Sequence, residues 1–251
     1  MNNSIIAIDL GNTTCEIAFI KNGLILNKFY VNSKNINLME LKNKLLTYNI
    51  DFKNQLWIVS SVVPSENNNL RNFIISEFNV NPIFIESGMF AKQFVGNIIN
   101  NEVGIDILCK SLWASDILKK DVLILDTGTA TVLQYINNKG ILSGVSITIG
   151  FNAIFNQLHL STNLLPKINE SKSRNVFGLN TKDSLQGGVY WGYIGCLNAL
   201  INKAKEETQC GNIYITGGNS EIFLDDINFN YIHNKNIIFE GMYALYKNNF
   251  N

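Results

Sequence analysis

Hydrophobic and polar positions along the chain change period several times, and each change marks an element. Residues 5–9, 15–20 and 24–31 are apolar or alternating runs that predict strands, with Lys21-Asn22-Gly23 as a hairpin turn between the last two. Residues 37–48 carry Leu38, Leu41, Leu45 and Leu46 at helical spacing. A strand is predicted over 55–61, a helix over 65–78 with Leu70, Phe73, Ile74 and Phe78 on one face, and a short strand over 82–85. Residues 88–104 have no period and form a candidate substrate loop, followed by a helix over 107–118 with Asp106 at its start. From residue 121 the strand–turn–strand pattern begins again, with a third strand at 141–147 and a helix at 151–160. Residues 162–180 read as a polar loop and 183–207 as a long helix. The remainder predicts a strand at 212–216, a helix near 219–225, a strand at 236–239 and a helix at 240–248.

The restart near residue 121 repeats a specific turn. Ile6-Ala7-Ile8-Asp9-Leu10-Gly11-Asn12-Thr13-Thr14 is matched by Leu123-Ile124-Leu125-Asp126-Thr127-Gly128-Thr129-Ala130-Thr131. At one constant offset Asp9 corresponds to Asp126, Gly11 to Gly128, Thr14 to Thr131 and Gly23 to Gly140. Such a match reads as a duplicated half. Either copy alone is an ordinary hairpin turn, because Asp, Asn and Gly are turn formers. Repeated in register, the turn reads as an anion site. A strand delivers a carboxylate to its end, and glycine leaves backbone N–H groups uncovered beside hydroxyl side chains. A carboxylate facing phosphate needs a cation between them, so the pattern points to phosphate with a metal ion.

Two further stretches carry chemistry. Thr216-Gly217-Gly218 follows a predicted strand and precedes a predicted helix, where glycine lets a phosphorylated or planar ligand lie against the backbone; it is also an ordinary turn. Asp106 in Gly104-Ile105-Asp106 is either a helix N-cap or a general base toward a substrate hydroxyl, and both roles are compatible.

Composition narrows the class. The 251 residues suit one large domain or two of ordinary size, and 46% hydrophobic residues can build a sizeable core. The 20 basic and 20 acidic residues cancel without a basic block, which argues against a nucleic-acid partner. Cys15, Cys109, Cys196 and Cys210 are scattered through apolar runs, as expected of free thiols in a reducing cytoplasm. With His159 and His233 as the only histidines, a histidine zinc site is not expected. The N-terminal residues do not read as a signal peptide, and no apolar stretch of about 18 residues predicts a membrane span.

Taken in order, these motifs resemble the type III pantothenate kinase family, whose members have an actin-like fold. The matching residues are Asp9-Leu10-Gly11-Asn12-Thr13, Val103-Gly104-Ile105-Asp106 and Asp126-Thr127-Gly128-Thr129-Ala130-Thr131. They continue with Gly150, the stretch from Leu158 to Pro166, Asn180-Thr181 before Gly187 and Gly188, and Thr216-Gly217-Gly218. The resemblance implies an α/β actin-like (ribonuclease H-like) ATPase fold with two duplicated lobes, residues 1–117 and 118–251, each holding a mixed five-stranded sheet flanked by helices. It implies ATP-dependent phosphorylation of pantothenate in the first step of coenzyme A synthesis, by a cytoplasmic homodimer. Asp9, Leu10, Gly11, Asn12, Thr13, Thr14, Cys15 and Glu16 would bind ATP, together with Thr129, Gly217 and Gly218. Asp9 would lie near Mg2+, and Asp126 would bind K+ or NH4+. Asp106 would be the base, with Gly104, Ile105, Ile107, Thr181 and Asn97 on the pantothenate side.

The departures from the family pattern fall on that same side. Ile107 stands where the family usually has arginine, Asn97-Ile98-Ile99-Asn100-Asn101 replaces an upstream stretch with Tyr and Pro, Gly144-Val145 replaces Gly-Gly, and Ile149 replaces a proline. They raise two alternatives: a catalytically impaired nucleotide-binding relative with an accessory or regulatory role, and an actin-like kinase for another small hydroxylated substrate.

Overall fold

The computed structural model describes residues 4–33, 36–48, 50–91, 94, 102–169 and 171–250. Two compact units are present, one of residues 1–118 with 236–251, the other of residues 119–235.

The first unit is built on strands β1 (Ser4–Leu10), β2 (Thr14–Lys21), β3 (Leu24–Asn32), β4 (Leu56–Ser61) and β5 (Ile83–Phe84), in the sheet order β3-β2-β1-β4-β5. The hairpin strands β1, β2 and β3 pair antiparallel, while β4 and β5 add in parallel. Central β1 has Ile5, Ile6, Ala7 and Ile8 all buried, as expected of a strand covered on both faces. One face packs Ile6, Ile8, Trp57 and Val59 against Leu41 and Leu45 of α1 (Leu38–Leu46) and Leu70, Phe73, Ile74 and Phe78 of α2 (Pro64–Phe78). The helix α3 (Ile105–Trp113) continues into a π-helical turn at Ala114–Leu118 and packs against β4.

The second unit repeats the plan. Strands β6 (Val122–Thr127), β7 (Ala130–Ile136), β8 (Leu142–Ile149), β9 (Ile213–Thr216) and β10 (Ile232–His233) lie in the order β10-β9-β6-β7-β8. Its core joins Leu123, Leu125 and Leu133 to Phe151 and Phe155 of α4 (Phe151–Ser161) and to Tyr190, Tyr193, Leu197 and Ile201 of α5 (Thr181–Thr208). The duplication reaches small details. Gly23 and Gly140, at equivalent hairpin turns, both take positive φ, +81° and +73°. Each copy also has a register shift in the outer antiparallel pair, at Phe19/Ile20 and at Tyr135/Ile136.

The C-terminal region departs from expectation in three ways. The helix near 219–225 is only a 3-10 turn at Ser220–Ile222. The run 236–239 is not a strand; it opens α6 (Ile237–Phe250), and the strand that pairs with β9 is β10. A short apolar run does not reveal its own period, and Ile237, Ile238 and Phe239 supply the buried side of a helix instead. Finally, the lobe of residues 118–251 that the resemblance implies would include α6, whereas α6 clusters with the first unit, where it packs on α3 and β1. Gly241 makes that contact close: a Cβ there would stand 1.9 Å from the Cys109 carbonyl oxygen.

Candidate active site

In the first unit, Asp9 occupies the penultimate position of β1. It lies opposite Glu16 on β2 and beside Ser60 on β4. Ser60, fully buried, donates its hydroxyl to Asp9 Oδ1 at 3.1 Å. Beyond Asp9 the chain turns through Gly11–Thr14, closed by the Gly11 N–H donating to the Thr14 carbonyl at 3.0 Å. Asn12, Thr13 and Thr14 are exposed, whereas the side chains of Leu10 and Cys15 are buried in the core. Leu10 and Cys15 can therefore serve a ligand only through their backbone. Glu16 forms an ion pair with Lys28 at 3.6 Å.

The second carboxylate comes from α3. Gly104 is the helix N-cap, so Asp106 is not the cap; it is an acid in the first turn, where the unpaired N–H groups favour negative charge. Its two carboxylate oxygens have different surroundings. A Cβ on Gly104 would stand 2.5 Å from Asp106 Oδ1, so only glycine leaves room for that oxygen. On the other side Lys110 Nζ donates to Asp106 Oδ2 at 2.9 Å. Lys110 is 5% exposed, an unusual state for lysine that its carboxylate partner explains. Burial, and then the Asp106 charge, push the Asp9 carboxyl up to about 7, against the opposing pull of Lys110 and Ser60. Burial first, then Asp9, also push the Cys15 thiol up to about 12, which makes it an inert core thiol.

Lys110 was not among the residues the sequence motifs singled out. Its signal was there: in Ile105-Asp106-Ile107-Leu108-Cys109-Lys110-Ser111-Leu112-Trp113, the sole cation falls four residues after the acid. Ile107 is buried, 6% exposed, and Ile105 is half-buried. Asn97 and its neighbours 98–101 lie outside the described residues.

The second unit brings its own motifs together. Asp126 holds in β6 the position that Asp9 holds in β1, here beside Thr216 on β9. Gly217 takes φ +98°, and a Cβ on it would stand 2.5 Å from Asp126 Oδ1 and 2.6 Å from the Thr127 nitrogen. Thr127 donates to the Thr216 carbonyl at 3.2 Å, and the Asn219 N–H donates to the Thr127 carbonyl at 3.2 Å. Gly150 packs as closely on the Asp126 turn, since its Cβ would lie 2.1 Å from the Thr129 carbonyl oxygen. Thr129 and Gly218 are exposed at this rim. Thr181 opens α5, also exposed, behind an Asn180 N-cap that accepts from the Asp183 N–H at 2.9 Å.

The two turns are not copies in detail. The first joins paired residues Leu10 and Cys15, the second Thr127 and Thr131, which is one residue tighter. Thr14 is exposed, but its counterpart Thr131 is buried and bonded to the Tyr193 hydroxyl and the Ile149 carbonyl.

Comparison with known proteins decides the family. The profile of the type III pantothenate kinase family matches residues 5–203. The chain belongs to the type III pantothenate kinase family. It is 32% identical over 250 residues to the type III pantothenate kinase of Sulfurihydrogenibium sp. (strain YO3AOP1), covering 97% of this chain and 99% of the relative. It is 34% identical over 232 residues to that of Ehrlichia canis (strain Jake), covering 88% and 87%. Among solved structures it is similar to (R)-2-hydroxyglutaryl-CoA dehydratase component A of Acidaminococcus fermentans, with a TM-score of 0.56, 12% identity and 97% and 96% coverage. At that identity the likeness speaks for the fold, which is the actin-like ATPase fold with two mixed five-stranded sheets. Within this family of pantothenate kinases, Ile107 stands out because its buried, apolar side chain cannot offer the charged donor of the usual arginine.

Proposed function

We propose that this chain transfers the γ-phosphoryl group of ATP to the hydroxyl of pantothenate, opening coenzyme A synthesis. The observation that carries the chemistry is the pair of carboxylates in the first unit: Asp106 held between Gly104 and Lys110, and Asp9 close enough to feel its charge. Phosphoryl transfer asks the protein mainly for positioning and charge neutralisation. Asp106 accepts the proton of the substrate hydroxyl as its oxygen bonds to the γ-phosphorus and ADP leaves. The turn Gly11–Thr14 offers N–H groups and exposed Asn and Thr side chains to the phosphates.

Charge crowding at Asp9 fits a cation, because a metal ion would offset what burial and Asp106 impose on it. Hard carboxylate oxygens suit Mg2+, which would neutralise phosphate charge with Asp9 as its protein ligand. Asp126 would take the monovalent cation, K+ or NH4+, and Thr129, Gly217 and Gly218 would contact ATP. Gly104, Ile105, Ile107, Asn97 and Thr181 are assigned to the pantothenate side by the family pattern. A homodimer and a cytoplasmic location belong to the same reading; among the described residues no helix is long and apolar enough to cross a membrane. The alternatives raised by Ile107, an inactive relative or a kinase for another substrate, are not favoured, given relatives of 32% and 34% identity that are type III pantothenate kinases.

The test is phosphorylation of pantothenate by purified protein with ATP, Mg2+ and K+. Product is expected, with lower activity when Na+ replaces K+. Asp106→Asn is expected to lower kcat by about 10²–10⁴-fold while ATP binding persists. Well-folded wild-type protein that gives no product at high enzyme and substrate overturns the reading.

A further inference from the structure

Lys110 has no role in the reading above beyond its bond to Asp106, and its surroundings make it unusual. It sits on α3 in a run of buried residues from Ile107 to Trp113. The residue is 5% exposed, and its ammonium reaches Asp106 Oδ2 at 2.9 Å. A surface Asp–Lys pair one helical turn apart contributes little. A desolvated ammonium is different, because it must be matched by charge and so fixes the geometry of what it pairs with. The Asp106 carboxylate has Oδ1 in the space that the missing Gly104 side chain leaves open and Oδ2 bonded to Lys110, so Lys110 is the group that restrains it.

We propose that Lys110 is a positioning residue: its buried ammonium clamps the Asp106 carboxylate in the orientation that accepts the substrate proton. The inference rests on the reading of Asp106 as the base. Arginine at position 107 cannot share this duty here, since the residue is isoleucine and buried. The same ammonium acts on Asp9, where it opposes the effect of burial, so one cation offsets the charge of both carboxylates.

Removing the charge while keeping the length tests the clamp. Lys110→Met is expected to lower kcat at least tenfold with the KM for ATP within threefold, and its crystal structure is expected to show the Asp106 carboxylate turned from its wild-type rotamer. Lys110→Arg, which keeps the cation, is expected to keep the rotamer and to recover most of kcat. A purely stabilising ion pair would instead lower the melting temperature of Lys110→Met and leave kcat per folded molecule unchanged. The proposal is overturned if the Asp106 rotamer is the same in wild type and Lys110→Met, or if kcat stays within threefold of wild type. Where Lys110→Met does not fold, Lys110→Gln gives the same two readouts with a neutral amide. If wild-type protein leaves pantothenate untouched, the functional reading has failed, and the Asp106 rotamer alone then decides the clamp.

Discussion

Gly104 and Asp106 are fitted to each other: the space a Cβ on Gly104 would fill is taken by Asp106 Oδ1, 2.5 Å from that position. Because Gly104 has φ −59° and ψ 143°, alanine strains no backbone there, and the atom it meets is the free end of a side chain. Gly104→Ala is therefore expected to leave stability within about 1 kcal/mol and to lower kcat about tenfold or more, with ATP affinity kept. Steady-state kinetics beside thermal unfolding checks this. Unchanged kcat would mean that the orientation of Asp106 does not matter.

Gly217 is the opposite case. Its φ of +98° disfavours any side chain, and the atoms in the way include the Thr127 backbone as well as Asp126 Oδ1. Gly217→Ala is expected to destabilise the fold by more than about 1 kcal/mol and to weaken ATP binding. Denaturant unfolding and nucleotide titration measure the two effects. Wild-type values for both would show that the Asp126 turn and the Gly217 loop are not held together as described.

Asp9 gives stability a pH dependence. Unfolded, its carboxyl has the ordinary value near 3.8; folded, burial followed by Asp106 raises it to about 7. Between those values the native state binds more protons than the unfolded state, so stability falls as pH rises through this window. Without nucleotide, Asp9→Asn is expected to melt at nearly the wild-type temperature at pH 4 and progressively above it up to pH 7 and beyond. A difference in melting temperature that does not change with pH would refute the raised value.

Gly241 tests how α6 is seated. A Cβ there would stand 1.9 Å from the Cys109 carbonyl oxygen, an atom of the α3 backbone that cannot step aside alone. Gly241→Ala is expected to cost about 1–3 kcal/mol, as overpacking does. The loss should appear in the global unfolding free energy. A neutral substitution would mean that α3 and α6 have room to separate.

The most legible features in the sequence were those set by local chemistry. The repeated Asp-x-Gly turn predicted both hairpins, because a strand end, a glycine and short polar residues specify a reversal with little help from elsewhere. Long amphipathic runs such as 65–78 fell where α2 lies, since their spacing admits one buried face. What could not be read was decided by contacts remote in sequence. The apolar run Ile237-Ile238-Phe239 fits a strand or a helix equally, and its helical state comes from packing on α3 and β1. The importance of Lys110 was hidden for the same reason: lysine four residues after an aspartate is ordinary on a surface, and only its burial makes it unusual. Asp106 was visible as a helix-start acid, but its surroundings depend on the room Gly104 leaves and on the buried Lys110 that bonds it.

The seating of α6 on α3 also sets an order of events during synthesis. Chains emerge from the ribosome N-terminal end first, at roughly 5–20 residues per second. The stretch that carries Asp9, Asp106 and Lys110 is made well before residues 236–250, yet the helix behind Cys109 comes from that late segment. A nascent chain halted before Asn236 thus carries Asp9 and Asp106 while the face of α3 that α6 covers is still bare. The packing of the first unit is therefore completed only after residues 236–250 have been made, more than a hundred residues later than the α3 they cover.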